Sequence, residues 1–309
     1  MKRYILPVYI LLICLFLFPS ICVQGAKNGL LLWFNTIIPS IFPFILITGL
    51  LRTFGGIDIM EKYFGPLISK IFKCQKHSAY AVIIGFLCGY PLGAKAVADI
   101  YSLGYIDRNE ADYLLTFCNN PSPMFVMNYI VIASLGRPEL IPVFMAAIYI
   151  AAWQTACISY AFVYKKRTQK LYTRHIFALD YSPGILMDNC ILDALATIQK
   201  IGVYMILFSI LSQLIAQLPD QIYFIKLMLV GLCEQTTGID TLMHANIFLP
   251  EYIKTVLAAI FTSFGGFAVA AQTQGIIGSY GLSIKPYFIG KILHAALTAV
   301  MLAILIHII

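Results

Sequence analysis

Long apolar runs dominate the chain, and the polar residues that interrupt them carry most of the information. Runs long enough for a membrane helix, about 20 residues, occupy 4–23, 29–52, 113–135, 139–164, 197–217, 252–275 and 286–307. Two further apolar segments, 79–103 and 223–247, are cut by Gly, Pro and charge. The first holds "GFLCGYPLGAKAVADI" (85–100), in which the helix-breaking Gly89, Pro91 and Gly93 stand beside Lys95 and Asp99. Hydrocarbon leaves unpaired backbone groups unsatisfied, so such a segment must be buried in protein or line a wet cavity. Segments 55–77 and 183–196 show amphipathic spacing and are expected to lie along the membrane surface, the second with Asp188 and Asp193 on its wet face. In "IDRNEADYLL" (106–115), Asp107 and Glu110 have capping-box spacing at the start of a helix.

Composition agrees with the pattern. Of 309 residues, 60% are hydrophobic and only 11% are charged, against about 25% charged in a soluble domain. This predicts one polytopic membrane domain over 1–309. The net charge of +7 is expected in cytoplasmic loops rather than on a nucleic-acid surface. Eight scattered Cys form no C-x-x-C and no cluster with His, so neither a disulfide frame nor a metal site is expected. No H-E-x-x-H, Walker loop or G-x-S-x-G occurs, so the chain is not expected to be an enzyme. The first apolar run lacks an A-x-A cleavage site and is taken as a membrane helix rather than a signal peptide.

Charge also chooses a topology. Lys2 and Arg3 place the N-terminus inside, and Lys62, Lys70, Lys73 and Lys76 fall inside two spans later. The most basic loop, "YKKRTQKLYTRH" (164–175), falls inside only if 79–103 enters the membrane and returns to the same side. The second interrupted segment, "VGLCEQTTGIDTLMHAN" (230–246), aligns with the first at a constant offset. Leu87-Cys88 falls on Leu232-Cys233, Gly93 on Gly238 and Lys95 on Asp240. A span broken in its middle follows each: "TFCNNPSPMF" (116–125) and "FTSFGGFAVAAQTQG" (261–275). The expected architecture is therefore all-α, with about seven transmembrane helices and two re-entrant helical hairpins in two inverted repeats. The units are an N-terminal helix (1–27), repeat 1 (28–164), a basic loop with an interfacial helix (165–196) and repeat 2 (197–309).

Inverted repeats with broken helices are a plan of secondary transporters, with the substrate bound where the helices break. Candidate substrate contacts are Lys95, Tyr90 and Gly93 in the first hairpin and Asn119, Asn120 and Ser122 in the first broken span. Gln235, Thr236 and Thr237 are the corresponding polar set of the second hairpin. Lys95 either pairs a substrate carboxylate or stands in a structural ion pair, with Asp240 across the pseudo-twofold or by snorkelling. Glu234, Asp240 and Asp99 either bind a coupling cation or proton or balance Lys95. Asn119 and Asn120 either donate to a ligand or cap the broken helix ends. Lys291 and His294, one turn apart, are expected to snorkel or to form interhelical bonds.

The stretch 85–125, with Gly89, Tyr90, Pro91, Gly93, Ala94 and Lys95, then Glu110–Ala111, Asn119, Asn120, Pro123 and Phe125, resembles a known family. So does "PSIFPFILITGLLRTFGG" (39–56). The resemblance is to the sporulation integral membrane proteins of the YlbJ (SpoVV) family, within the nucleoside recognition, or Gate, membrane proteins. It implies transport of a small anion, dipicolinate, across the outer forespore membrane. Through the wider family it also implies a likeness to concentrative nucleoside transporters, which favours a neutral nucleoside or nucleobase. A membrane scaffold without transport is the third reading. Membrane lipid is the expected surrounding, no cofactor beyond a coupling cation or proton is implied, and a homo-oligomer stays open.

Overall fold

The computed structural model describes residues 5–164, 183–245 and 249–306. The expected first span, 4–23, is split. Helix α1 (Ile5–Leu17) ends at Phe18, which leaves helical geometry (φ −128°), and α2 (Pro19–Leu32) restarts with Pro at its first position, where the missing N–H costs nothing. From there the chain runs through a π-helical turn, Trp33–Ile37, into α3 (Ile38–Thr53). The result is one 35-residue rod, Pro19–Thr53. Helix α4 (Gly56–Phe72) is the expected amphipathic connector.

The first interrupted segment forms α5 (Ala79–Leu87) and α6 (Leu92–Ser102), which pack against each other as a hairpin. At 9 and 11 residues, each is far shorter than the ~20 needed to cross a bilayer. Next come α7 (Arg108–Leu115), an irregular break and a π-helical run, Phe125–Ser134. Helix α8 (Ile141–Ser159) continues in π-helical form to Tyr164.

Asp107 caps α7, its carboxylate accepting from the Glu110 N–H at 2.8 Å. Glu110 does not return the bond to Asp107. Its buried carboxylate instead accepts from Gln75 N–H (2.8 Å), Ser78 Oγ (2.6 Å) and the Tyr164 hydroxyl, tying α4, α5 and the end of α8 together. Asp107→Ala should cost about 1–2 kcal/mol, with Asp107→Asn near neutral, read as the drop in thermal midpoint.

Helix α9 runs unbroken from Pro183 to Ile215. The separate interfacial helix expected at 183–196 is therefore the first half of a long helix, and the unit boundary at 196 falls inside it. No residue between Asp188 and Ile215 stops the ladder, and Asp193 is engaged by cations on α3 and α6. The second interrupted segment gives α10 (Tyr223–Cys233) and α11 (Gln235–Met243), again a packed pair. Then follow α12 (Glu251–Phe264), α13 (Gly266–Ile277) and α14 (Ile284–Ile306).

Among the described residues there is no strand, and five helices are long and apolar enough to span a membrane. Three of the seven expected spans, 4–23, 113–135 and 252–275, are not continuous helices: Pro19 divides the first, the Asn119–Pro123 break the second and Gly265, at φ +82°, the third. Apolar side chains such as Ile289, Ile292, Val300 and Ile304 of α14 face outward, as lipid-facing positions do. The chain is an all-α polytopic membrane protein. Lys2, Arg3 and residues 165–175 of the basic loop, which carried the sidedness argument, lie outside the described residues.

The two hairpins are knitted into one body by exchange. The π-helical half of the first broken span packs on α11, while α13, the second half of the other broken span, packs on α6. One apolar core accordingly surrounds the first hairpin, with Tyr80, Leu92, Val97, Tyr113 and Phe117. The other surrounds the second, with Val126, Phe144, Ile148, Leu227 and Phe261.

Candidate functional site

Each hairpin closes on a pair of glycines. An added Cβ on Gly93 would stand 2.8 Å from Gly85 Cα, and one on Gly238 would stand 2.1 Å from Gly231 Cα. In the first hairpin the Cys118 carbonyl of the broken span is lodged against both Gly85 and Gly93. At the tip, Gly89 has φ +87° and lies against Ser122. A side chain there would be both strained and obstructed. The turn carries Tyr90 toward the space between the hairpins.

Both tips border one cavity of about 500 Å³. Cys88–Pro91 of the first hairpin and Glu234–Thr236 of the second meet there with Ser122 and Phe125 of the first break and with Ala268, Val269 and Gln272 of α13. The π turn before α3 and α3 itself (Thr36, Ser40, Phe44), with Ile201 and Met205 of α9, complete the wall. Tyr90 meets the Phe125 edge at 6.3 Å between ring centres, and Phe125 stacks on Tyr129 at 5.2 Å, giving one aromatic side. The Tyr90 hydroxyl and Gln235 Oε1 are buried without a hydrogen-bond partner of normal geometry, although the two groups lie close enough to influence each other. Among the described residues, Glu234 is the only charged one in the lining.

The polar groups expected to face a ligand divide into two sets. Tyr90, Ser122, Glu234, Gln235 and Thr236 line the cavity; Lys95, Gly93, Asn119, Asn120, Thr237, Asp99 and Asp240 do not. Asn119 is buried at the break. Its Oδ1 accepts from Ala94 N–H of α6 (3.2 Å), its Nδ2 donates to Thr273 Oγ1 of α13 (3.1 Å), and its carbonyl accepts from Lys291 Nζ (3.0 Å). Asn120 Nδ2 donates to the Phe117 carbonyl at 2.8 Å, closing the cut end of α7. The Glu234 carboxylate accepts from the N–H groups of Thr236 (3.1 Å) and Thr237 (2.7 Å) and from both threonine hydroxyls, capping α11.

Lys95 is buried one turn below the first tip and pairs with Asp193 at 3.0 Å. Its ion-pair partner is thus Asp193 rather than Asp240. Arg52 bridges Asp99 (2.7 Å) and Asp193 (3.4 Å), so two cations and two carboxylates join α3, α6 and α9. Asp240 is largely exposed beside His244 and borders an open groove with Thr237. That groove shares Tyr129 and Thr236 with the main cavity.

Sequence reasoning missed Arg52 and Asp193 as the partners of Asp99 and Lys95, and it missed Thr36, Ser40, Asn128, Tyr129 and Gln272 in the lining. The available signal was polar residues inside apolar runs, as in "FNTIIPS" and "AAQTQG".

No solved structure matches the chain. The chain is 24% identical to the sporulation integral membrane protein YlbJ of Bacillus subtilis (strain 168), across 93% of this chain and 78% of the relative. Residues 34–168, which begin in the turn before α3 and run past α8, match the family described as nucleoside recognition (Gate). The first hairpin, its broken span and much of the cavity wall thus fall within the residues that match that family, in a membrane chain that is similar over nearly its whole length to a sporulation protein.

Proposed function

We propose that this chain is a secondary transporter of a small, flat, polar metabolite in the membrane of a sporulating cell, by alternating access through the cavity at the hairpin tips. The observation that carries the reading is the convergence of two helical hairpins and two broken spans on one cavity. Helices break at membrane depth where a polar ligand takes up the freed groups. The glycine-closed hairpins and their crossed packing support two related units entering from opposite sides.

Charge favours a neutral heterocycle of the nucleoside or nucleobase class over a dianion. Among the described residues the lining has one carboxylate and no cation. The helix starts at the two tips are engaged by Asn119 and Glu234, and Lys95 is paired with Asp193. An aromatic side beside the buried Tyr90 hydroxyl and Gln235 amide, neither in a hydrogen bond of normal geometry, suits a ring with hydrogen-bonding edges. The outer forespore membrane is the location that the family resemblance implies, and the relative named for sporulation supports a membrane of a sporulating cell.

The test is a thermal-shift titration of detergent-purified protein with uridine and with dipicolinate in parallel. Uridine should raise the midpoint, and Gln235→Ala should weaken its binding about tenfold, the worth of one buried hydrogen bond. A dipicolinate shift with none for uridine would reverse the charge argument and require Glu234 to be protonated in the complex. No shift with either would leave the scaffold reading.

A further inference from the structure

We propose that Lys291 and His294 on α14 form a one-proton site that couples proton movement to the hairpins. The coupling half of this inference rests on the transport reading; the proton site does not.

Lys291 is 2% exposed and His294 1% exposed, in the middle of the last membrane helix. Among the described residues no carboxylate pairs with Lys291. A lone ammonium at this depth is costly, and such groups mark ion and proton pathways. Its partners are the Asn119 carbonyl at 3.0 Å and His294 Nδ1 at 3.2 Å. His294 Nε2 lies 2.9 Å from the Ile148 carbonyl, which accepts only. Nε2 therefore carries the hydrogen, and Nδ1 presents a lone pair to Lys291. The pair holds one proton beyond its neutral form, either on Nζ or, after transfer along the 3.2 Å contact, on Nδ1.

Few other groups answer to that proton. Helix α8 contributes the Ile148 carbonyl, α12 contributes Ser263, and the break contributes Thr116 and Asn119. Thr298 and Tyr287 lie on α14 itself; the Tyr287 hydroxyl is buried without a partner, near Thr273 and Asn119. None of these is an acid or base that would hold the charge in place of the pair.

The connection to the hairpins is short. Lys291 holds the Asn119 carbonyl, while the Asn119 side chain holds α6 through Ala94 and α13 through Thr273. Next to Lys291 in the chain, Gly290 packs against the Thr116 carbonyl so closely that an added Cβ would stand 2.1 Å from it. Loss of the proton weakens the grip on the break that both cavity walls share.

Two measurements test the inference. In the first, wild type and Lys291→Met in nanodiscs are titrated in weak buffer against a pH indicator across the neutral range. The variant should take up one proton fewer, and an unchanged count overturns the site. Lys291→Gln, which keeps a donor for the Asn119 carbonyl but has no amine to protonate, replaces Lys291→Met if that variant does not fold. In the second, radiolabelled uridine uptake into proteoliposomes is driven by a gradient of about one pH unit, which should raise accumulation about tenfold for one coupled proton. Lys291→Met should show no response to the gradient. Wild-type uptake that ignores the gradient overturns the coupling. Absence of uptake counts against uridine transport instead, and the titration then decides the proton site alone.

Discussion

Gly93→Val should give no folded, monodisperse protein. An ideal Cβ on Gly93 falls 1.8 Å from the Cys118 carbonyl oxygen and 2.8 Å from Gly85 Cα. Both neighbours are backbone, so no rotamer change relieves the overlap. The hairpin would have to open, and opening it withdraws the lodged carbonyl and the Ala94–Asn119 bond together. Overpacking by a methylene or two typically costs 1–3 kcal/mol when side chains can shift; here the cost should exceed about 3 kcal/mol. Gly238→Ala should behave likewise, with its Cβ 2.1 Å from Gly231 Cα. Gly184→Ala is the control: nothing lies within 4 Å of its Cβ, and a helical Gly→Ala change is neutral or stabilising by up to about 1 kcal/mol. Size-exclusion profiles and thermal midpoints of the three variants check this. A Gly93→Val protein as stable as wild type would show that the two halves of the first hairpin do not touch.

Those glycines were legible because breaks are local. Gly-Tyr-Pro-Leu-Gly cannot continue a helix, and the constant offset that sets Gly93 on Gly238 singled out the second hairpin. The elements between breaks were less legible. Nothing in "PGILMDNCILDALA" says whether its Asp residues face water or a cation. Asp193 faces Arg52 and Lys95, which are 141 and 98 positions away, so a surface helix was expected where a buried face begins. The same limit applies to Asn119. A polar residue beside a break is visible in one dimension, but whether it turns to a ligand or to neighbouring helices depends on which helices cross there. The cavity wall draws on both hairpins, both broken spans, α3 and α9, and apart from the tips and Ser122 its residues sit in otherwise ordinary apolar runs.

Arg52→Met should be the most damaging change outside the hairpins. The Asp99 side chain is 5% exposed, and Arg52 Nη1 sits 2.7 Å from it. Truncating one partner of a buried pair leaves the other charge without compensation, a loss of about 3–5 kcal/mol. The lower end is expected, because Lys95 lies one turn away on the same helix. Arg52→Met/Asp99→Asn should recover most of that loss, since the second change removes the stranded charge, and the double-mutant cycle should be strongly non-additive. Lys95→Met is predicted to be milder, about 1 kcal/mol, because the Asp193 side chain is 37% exposed and retains Arg52. Thermal midpoints of these three variants and of Asp99→Asn alone check the order, which fails if Lys95→Met costs as much as Arg52→Met. The ligand response separates this network from the cavity. Lys95→Met, folded and lacking the ammonium, should keep its full midpoint increment with uridine, because a residue occupied with Asp193 contributes nothing to a neutral ligand. If Lys95 instead served an anionic substrate, the increment lost in that variant would be the one with dipicolinate, and the charge network would be part of the binding site rather than the structure that holds α6 against α3 and α9.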